Sequence, residues 1–134
     1  MMKRTLLIGA ALLVGIVAAD AQPKNEAIAR RLNIALEKFF HHAGELEGTK
    51  CESDVPQQWP PAKESIKSYL APAWPSHGAE LLEALESSKP AYEKGWLRGN
   101  SFCKLVNRES AQGHATRSVV YWSQEVKRHA EMLR

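Results

Sequence analysis

The clearest helical pattern in the chain lies in residues 101–133, SFCKLVNRESAQGHATRSVVYWSQEVKRHAEML. Apolar side chains recur there at steps of three and four residues, the spacing of one face of an α-helix. They are Phe102, Leu105, Val106, Ala115, Val119, Trp122, Val126, Ala130 and Leu133. Gly113 interrupts the run and predicts a break or a bend. Because no stretch of the sequence shows the alternation of a β-strand, this segment favours a helical fold.

A second long helix is predicted over residues 26–46, near the other end of the chain. Its apolar side chains again follow helical spacing and are Ile28, Leu32, Ala35, Leu36, Phe39 and Ala43. Asn25 is a suitable cap for the start of this helix. Gly44 and Gly48 predict its end, because glycine is common just beyond a helix.

The middle of the chain is rich in proline, with five of the seven prolines between residues 56 and 75. Proline interrupts helices but suits their first turn. We therefore predict short helices over residues 61–71, after Ser76, and from Pro90 to Gly99-Asn100. The sequence predicts an all-α domain of four to five helices over residues 22–134. The first and last helices are longer, and one disulfide is expected.

Residues 1–21 have the pattern of a cleavable secretory signal peptide. Lys3 and Arg4 precede an uncharged run of 14 residues, and the small side chains of Ala19 and Ala21 occupy the −3 and −1 positions. We predict cleavage after Ala21, with cleavage after Ala19 as the alternative. The apolar run is shorter than the about 20 residues that span a bilayer. The expected location is therefore periplasmic or secreted, and membrane contact is expected only before cleavage.

The two cysteines, Cys51 and Cys103, are the only ones in the chain. Outside the cytoplasm, surroundings are oxidising and an isolated pair of cysteines usually closes. A redox site would favour a Cys-x-x-Cys pair, and a thiolate metal site would need further ligands nearby. We therefore predict a disulfide between Cys51 and Cys103.

Charge and aromatic residues guide the choice of partner. The formal net charge is +3 and the basic residues form no cluster, so nucleic acid is not an expected partner. Trp59 and Trp74 each precede a proline in the irregular segment. If exposed, they would be rigid anchors for a partner, which we expect to be a protein or an envelope glycan. In the alternative interpretation, both indoles cover the ends of the helical core.

One row of residues could hold a metal ion, although its spacing matches no established motif. Glu37, His41 and Glu45 follow at four-residue intervals and project from one helix face. Completing a ligand shell would need a second element, for which Glu125 and His129 are the candidates. The alternative is an exposed polar stripe with ordinary contacts between neighbouring turns. No metal and no cofactor are predicted.

The sequence contains no recognisable set of catalytic residues, so it favours a protein without enzymatic activity. The function predicted is that of an exported small helical binding protein, such as an inhibitor, an immunity-type protein or an accessory subunit. The alternative is a small envelope enzyme or metal-binding protein that uses Glu37, His41 and Glu45.

Overall fold

The computed structural model describes the backbone of residues 12–133 and the side chains of residues 24–133. Within this range the chain forms five α-helices and no strand. They are α1 (Leu12–Gly48), α2 (Trp59–Leu70), α3 (Trp74–Glu86), α4 (Lys89–Asn100) and α5 (Arg108–Met132), with a 3₁₀ turn, Ala71–Ala73, between α2 and α3. The predicted all-α fold is confirmed. Residues 1–11, about half of the predicted signal peptide, lie outside the described residues.

Both long helices differ from the predictions at their ends. The described part of α1 begins at Leu12 and passes through Asn25, so this residue does not cap it. Helix α5 begins at Arg108, because residues 101–107 form consecutive turns beside the disulfide. Gly113 lies inside α5 without a break. A glycine costs a helix only about 1 kcal/mol, which the packing of the flanking turns offsets.

Prolines begin the three short helices, where a missing N–H group leaves no hydrogen bond unmade. Helix α4 follows the prediction closely, from the residue before Pro90 to Asn100. Helix α3 is kinked at His77 (φ −129°, ψ 16°). Because α3 begins at Trp74, Ser76 lies inside this helix and does not cap it. The hydroxyl oxygen of Ser76 lies 3.0 Å from Nδ1 of His77. No helix in the described part of the chain combines the length and apolarity that crossing a bilayer requires.

Helices α1 and α4 cross with their backbones in direct contact. Four glycines form this central crossing: Gly44 and Gly48 of α1, and Gly95 and Gly99 of α4. At each glycine, an added Cβ atom would overlap a carbonyl oxygen of the opposite helix. Residues later in α1 contact residues later in α4, so the two helices run parallel here. Helix α1 ends at Gly48, as predicted, whereas Gly44 lies inside the helix, where its lack of a side chain allows α4 to approach.

Helix α5 packs antiparallel against α1, since the His114 ring meets His42 near one end while His129 faces Arg31 near the other. Helices α2 and α3 complete the bundle. The apolar core lies between these elements, and its most completely buried side chains are Leu32, Leu36, Phe40, Ile66, Leu70, Leu85, Tyr92 and Val126. Trp122, on the inner side of α5, packs at the edge of this core.

The predicted disulfide between Cys51 and Cys103 is present, with the two Cα atoms 5.3 Å apart. It joins the segment that leaves α1 to the turns that leave α4, next to the central crossing. Disulfides persist in oxidising surroundings, so this bond indicates a non-reducing, extracellular-type environment.

A buried carboxylate ties the irregular segment before α2 to this same region. Glu47 is only 9% exposed and accepts hydrogen bonds from the backbone N–H groups of Gln57 (2.9 Å) and Gln58 (3.3 Å). It also accepts a hydrogen bond from the hydroxyl of Tyr92. Burial and the adjacent carboxylate raise the pKa of Tyr92 far above its ordinary value, so the hydroxyl keeps its proton. Sequence patterns give no indication of this clamp.

Candidate functional site

An open groove of about 840 Å³ lies between α1, α3 and the start of α4. We call it the wide groove. Its α1 wall comes from residues one helical turn apart, including Ile34, Glu37 and His41. Glu80 and Glu83 of α3 line the facing side. The groove exists because the central crossing holds α4 tightly against α1, while α3 makes little contact with α1.

The lining of the wide groove is suited to recognition. Ile34 is 52% exposed and lines the groove, so its side chain is accessible to a partner. Glu37, Glu80 and Glu83 line the groove together with two lysines, Lys38 and Lys94. None of these charged side chains forms a salt bridge with another described residue. The groove therefore offers the exposed apolar side chain of Ile34 beside charges that are free to pair with a partner.

Trp59 lies next to the wide groove but is held inside the protein. Its indole Nε1 donates a hydrogen bond to Oγ of Ser88 (3.0 Å), and Ser88 lines the groove. The ammonium group of Lys63 lies 4.2 Å from the indole ring centroid. The side chain is half-buried and packs against the apolar core. Trp59 thus supports one end of the groove, and its predicted role as a partner anchor stays a prediction.

Trp74 is half-buried at a different place, where it begins α3. It packs against Gly78 and, with Lys67, Ala71 and Pro75, lines a separate apolar pocket of about 310 Å³. The two tryptophans singled out from the sequence therefore do not form one binding patch. Part of each indole covers the helical core, as the alternative interpretation expects.

Two histidines and a buried glutamate meet on α1 beside the central crossing. One ligand atom from each of His41, His42 and Glu45 lies within 4.8 Å of the others, and we call this group the His–Glu cluster. Nδ1 of His42 is 2.5 Å from Oε1 of Glu45, and Nε2 of His41 is 3.8 Å from Oε2. The Nε atom of Arg98, from α4, lies 2.8 Å from Oε2. Glu37, the remaining member of the predicted row, is not part of this group.

Burial and charge act in opposite directions on this cluster. Burial raises the pKa of Glu45, but the hydrogen bond with His42 and the nearby positive charges outweigh it and hold its pKa below the ordinary value. Burial lowers the pKa of His41, and the Glu45 carboxylate only partly opposes this effect. Glu45 is therefore an ionised carboxylate with only 8% of its side chain exposed.

A smaller groove of about 430 Å³ lies between α4 and α5, beside Glu45. Its lining includes Glu45, Arg98, His114 and Arg117. The ring centroid of His114 is 5.9 Å from that of His42. His114 is thus the α5 residue that approaches the His–Glu cluster. Neither it nor Arg98 could be chosen from the sequence, because both reach the site only through helix packing.

Glu125 and His129, the candidates for a second metal-binding element, lie toward the other end of α5. His129 is 5% exposed, and its Nδ1 atom has no hydrogen-bond partner among the described residues. Burial lowers its pKa, Arg128 and Arg31 lower it further, and Glu125 opposes the change. The neighbours of His129 are therefore cations and one carboxylate, rather than the histidines of the cluster.

The lowered pKa of His129 predicts a pH-dependent stability. The unfolded chain binds a proton near the ordinary histidine pKa, whereas the folded protein resists it, so stability falls as the pH drops below about 6.5. We expect the His129→Leu variant to lose less unfolding free energy than the parent protein between about pH 7.5 and about pH 5. Urea titrations at both values measure this difference. An equal loss in both proteins would contradict the assignment.

Comparisons with protein-family models, with curated proteins and with solved structures find no match to this chain.

Proposed function

We propose that this protein acts in the periplasm or after secretion as a small helical binding protein that holds a segment of a partner protein in the wide groove. The observation that carries this proposal is the combination, in the wide groove, of the exposed Ile34 and carboxylates without a salt-bridge partner among the described residues. Segments of partner proteins commonly bind in grooves through apolar anchor side chains.

The location rests on two independent features. The Cys51–Cys103 disulfide fits an oxidising compartment. The pattern of residues 1–21 fits a signal peptide for export. Its cleavage would leave residues 22–134 as the mature domain. A binding protein in such a compartment benefits from a rigid scaffold, because a preorganised surface loses little entropy when the partner binds. The central crossing and the disulfide supply that rigidity.

The chemistry of the wide groove favours a protein segment over a glycan. Glycan sites commonly present an open aromatic ring on which a sugar can stack, yet no Trp, Tyr or Phe lines this groove. The nearest indole, that of Trp59, is hydrogen-bonded to Ser88 and lies beneath Lys63. A peptide segment with an aliphatic side chain flanked by charged ones matches Ile34 and its surroundings. The carboxylates and lysines would then determine the orientation of the bound segment more than its affinity.

A site-specific crosslinking experiment tests this function. A photo-reactive amino acid replaces Ile34 in one variant and Val120 in a control, since these aliphatic side chains are 52% and 56% exposed. Both variants are expressed in the native envelope and irradiated. We expect position 34 to yield a specific crosslinked protein and position 120, on α5 outside the groove, to yield none. Equal crosslinking patterns at the two positions would contradict a partner in the wide groove.

Affinity for the captured partner provides the quantitative check. Ile34→Glu places a charge at the apolar position of the groove, and we expect it to weaken binding by about 30-fold or more, the size of a typical interface hot spot. Val120→Glu introduces the same charge elsewhere and should leave binding within about twofold of the parent protein. Circular dichroism shows that both variants are folded. An unchanged affinity for Ile34→Glu would refute the proposed groove.

A further inference from the structure

We propose that the His–Glu cluster is a binding site for a divalent transition metal of the zinc class. His41, His42 and Glu45 supply the three protein ligands, and Arg98 occupies the carboxylate when the metal is absent. The site shares His41 with the wide groove, but its metal binding is measured on the protein alone, without a partner. It differs from the row predicted from the sequence, because His42 replaces Glu37.

The spacing of the three residues suits a common metal. His42 and Glu45 are three residues apart and His41 and Glu45 are four apart, so each histidine can reach the Glu45 carboxylate over one turn of α1. With bonds of about 2.0–2.1 Å, tetrahedral zinc places its ligand atoms about 3.3 Å from one another. Nδ1 of His42 lies 2.5 Å from Oε1 of Glu45 and Nε2 of His41 lies 3.8 Å from Oε2, while one ligand atom of each residue lies within 4.8 Å of the others. Side-chain rotations that shorten the widest of these separations by up to about 1.5 Å would bring the three ligand atoms to tetrahedral spacing.

The donor set discriminates between cations. Two imidazoles and one carboxylate are the protein ligands of several zinc sites that keep a fourth position open, whereas calcium and magnesium prefer oxygen alone. His41 and His42 are half-buried, so a metal can enter, while the Glu45 carboxylate is nearly covered. A buried carboxylate attracts a cation more strongly than one in water. Water or the nearby His114 is available for the fourth position.

Arg98 supplies the competing positive charge. Its Nε atom lies 2.8 Å from Oε2 of Glu45, yet 63% of its side chain is exposed, so it can leave without disturbing the core. The ring of Phe102 lies 5.8 Å from the guanidinium carbon and offers a second resting place. Metal binding must displace this ion pair. Removal of the guanidinium should therefore strengthen metal binding, an effect that general damage to the fold cannot produce.

Zinc chloride titration of the purified protein, without any histidine tag, tests the proposal. We expect one equivalent of Zn²⁺ to bind and, at about 100 times its Kd, to raise the Tm by roughly 10 °C. Magnesium chloride should leave the Tm unchanged. His41→Ala and His42→Ala should each weaken Zn²⁺ binding by at least about tenfold, because even the loss of groups that only support a ligand costs that much. Arg98→Gln should tighten it roughly two- to fivefold.

The matched control is His77→Ala, which removes an imidazole whose recorded side-chain partner is Ser76 on α3. It should leave the affinity for Zn²⁺ within about twofold of the parent protein. The proposal is overturned if Zn²⁺ does not stabilise the parent protein. It is equally overturned if His41→Ala and His42→Ala bind Zn²⁺ as well as the His77→Ala control does, or if Arg98→Gln binds it more weakly than the parent.

Discussion

Replacement of Gly95 by alanine is expected to lower the free energy of unfolding by about 3 kcal/mol or more, although alanine is the better helix former. The added Cβ atom would overlap the carbonyl oxygen of His41, and the carbonyl carbon would also be too close at 2.7 Å. Both are backbone atoms of α1, so no side-chain rotation relieves the contact. The two helices must move apart, which opens the central crossing along its whole length.

Gly113→Ala is the matched control for this prediction, because it makes the same change inside a helix. Its Cβ atom would meet only the end of the Arg117 side chain, at 3.3 Å, and that group can move. We therefore expect Gly113→Ala to stabilise the protein by up to about 1 kcal/mol through helix propensity. Urea denaturation followed by circular dichroism measures both variants. Destabilisation of the same size in both would show that the close approach at Gly95 is not responsible.

The second large effect is expected for Glu47→Ala, at about 3–5 kcal/mol. The substitution removes the acceptor of three hydrogen bonds, from the hydroxyl of Tyr92 and the backbone N–H groups of Gln57 and Gln58. The Tyr92 side chain is 1% exposed, so water cannot replace the lost partner without opening the core. Glu37→Ala, an exposed change on the same helix, should stay within about 0.5 kcal/mol of the parent protein.

A double-mutant cycle isolates the contact between Glu47 and Tyr92. We expect Tyr92→Phe to cost about 1.5–3 kcal/mol in the parent protein, the range for a hydrogen bond to a charged group. In the Glu47→Ala background the hydroxyl has already lost its acceptor, so the same change should cost nearly nothing or even stabilise the protein. Equal costs of Tyr92→Phe in both backgrounds would exclude the proposed coupling. Urea denaturation provides all four free energies.

Much of this fold could be predicted from local sequence patterns. The apolar positions of α1 and α5 recur at helical spacing over several turns, and packing against a core reinforces such a pattern. Pro90 and Asn100 predicted the two ends of α4 to within one residue. Proline is a reliable signal at a helix start because its effect comes from its own backbone geometry. The disulfide followed from an expected oxidising compartment and a single available pair of cysteines.

The helix ends that failed did so because tertiary contacts overrode local signals. Gly44 has the residue type that usually follows a helix, yet here it lies inside α1 and allows α4 to approach. Asn25 is a good cap only where a helix begins, and the helix here continues past it. The sequence does contain a signal for the crossing, namely the matching spacings Gly44-x-x-x-Gly48 and Gly95-x-x-x-Gly99, which are typical of closely packed helices.

The candidate site was only partly predictable for a geometric reason. Each four-residue step advances about 40° around a helix, so Glu45 lies about 80° around α1 from Glu37. That angle is enough to place Glu37 at the wide groove and Glu45 against Arg98 of α4. A row that looks continuous in the sequence is therefore divided between two surfaces. Which residues of α4 and α5 complete each surface depends on packing that periodicity does not contain.

The formation of the disulfide also depends on the register of the central crossing, that is, on the position of α4 along α1. Cys51 follows Gly48 by three residues and Cys103 follows Gly99 by four, so the position of α4 along α1 sets the distance between the two cysteines. A slip of one helical turn would shift α4 by about 5.4 Å and carry their Cα atoms from 5.3 Å to beyond the roughly 7 Å that a disulfide can bridge. The bond therefore fits one register of α4 along α1, and reduction would remove this covalent restraint on the central crossing.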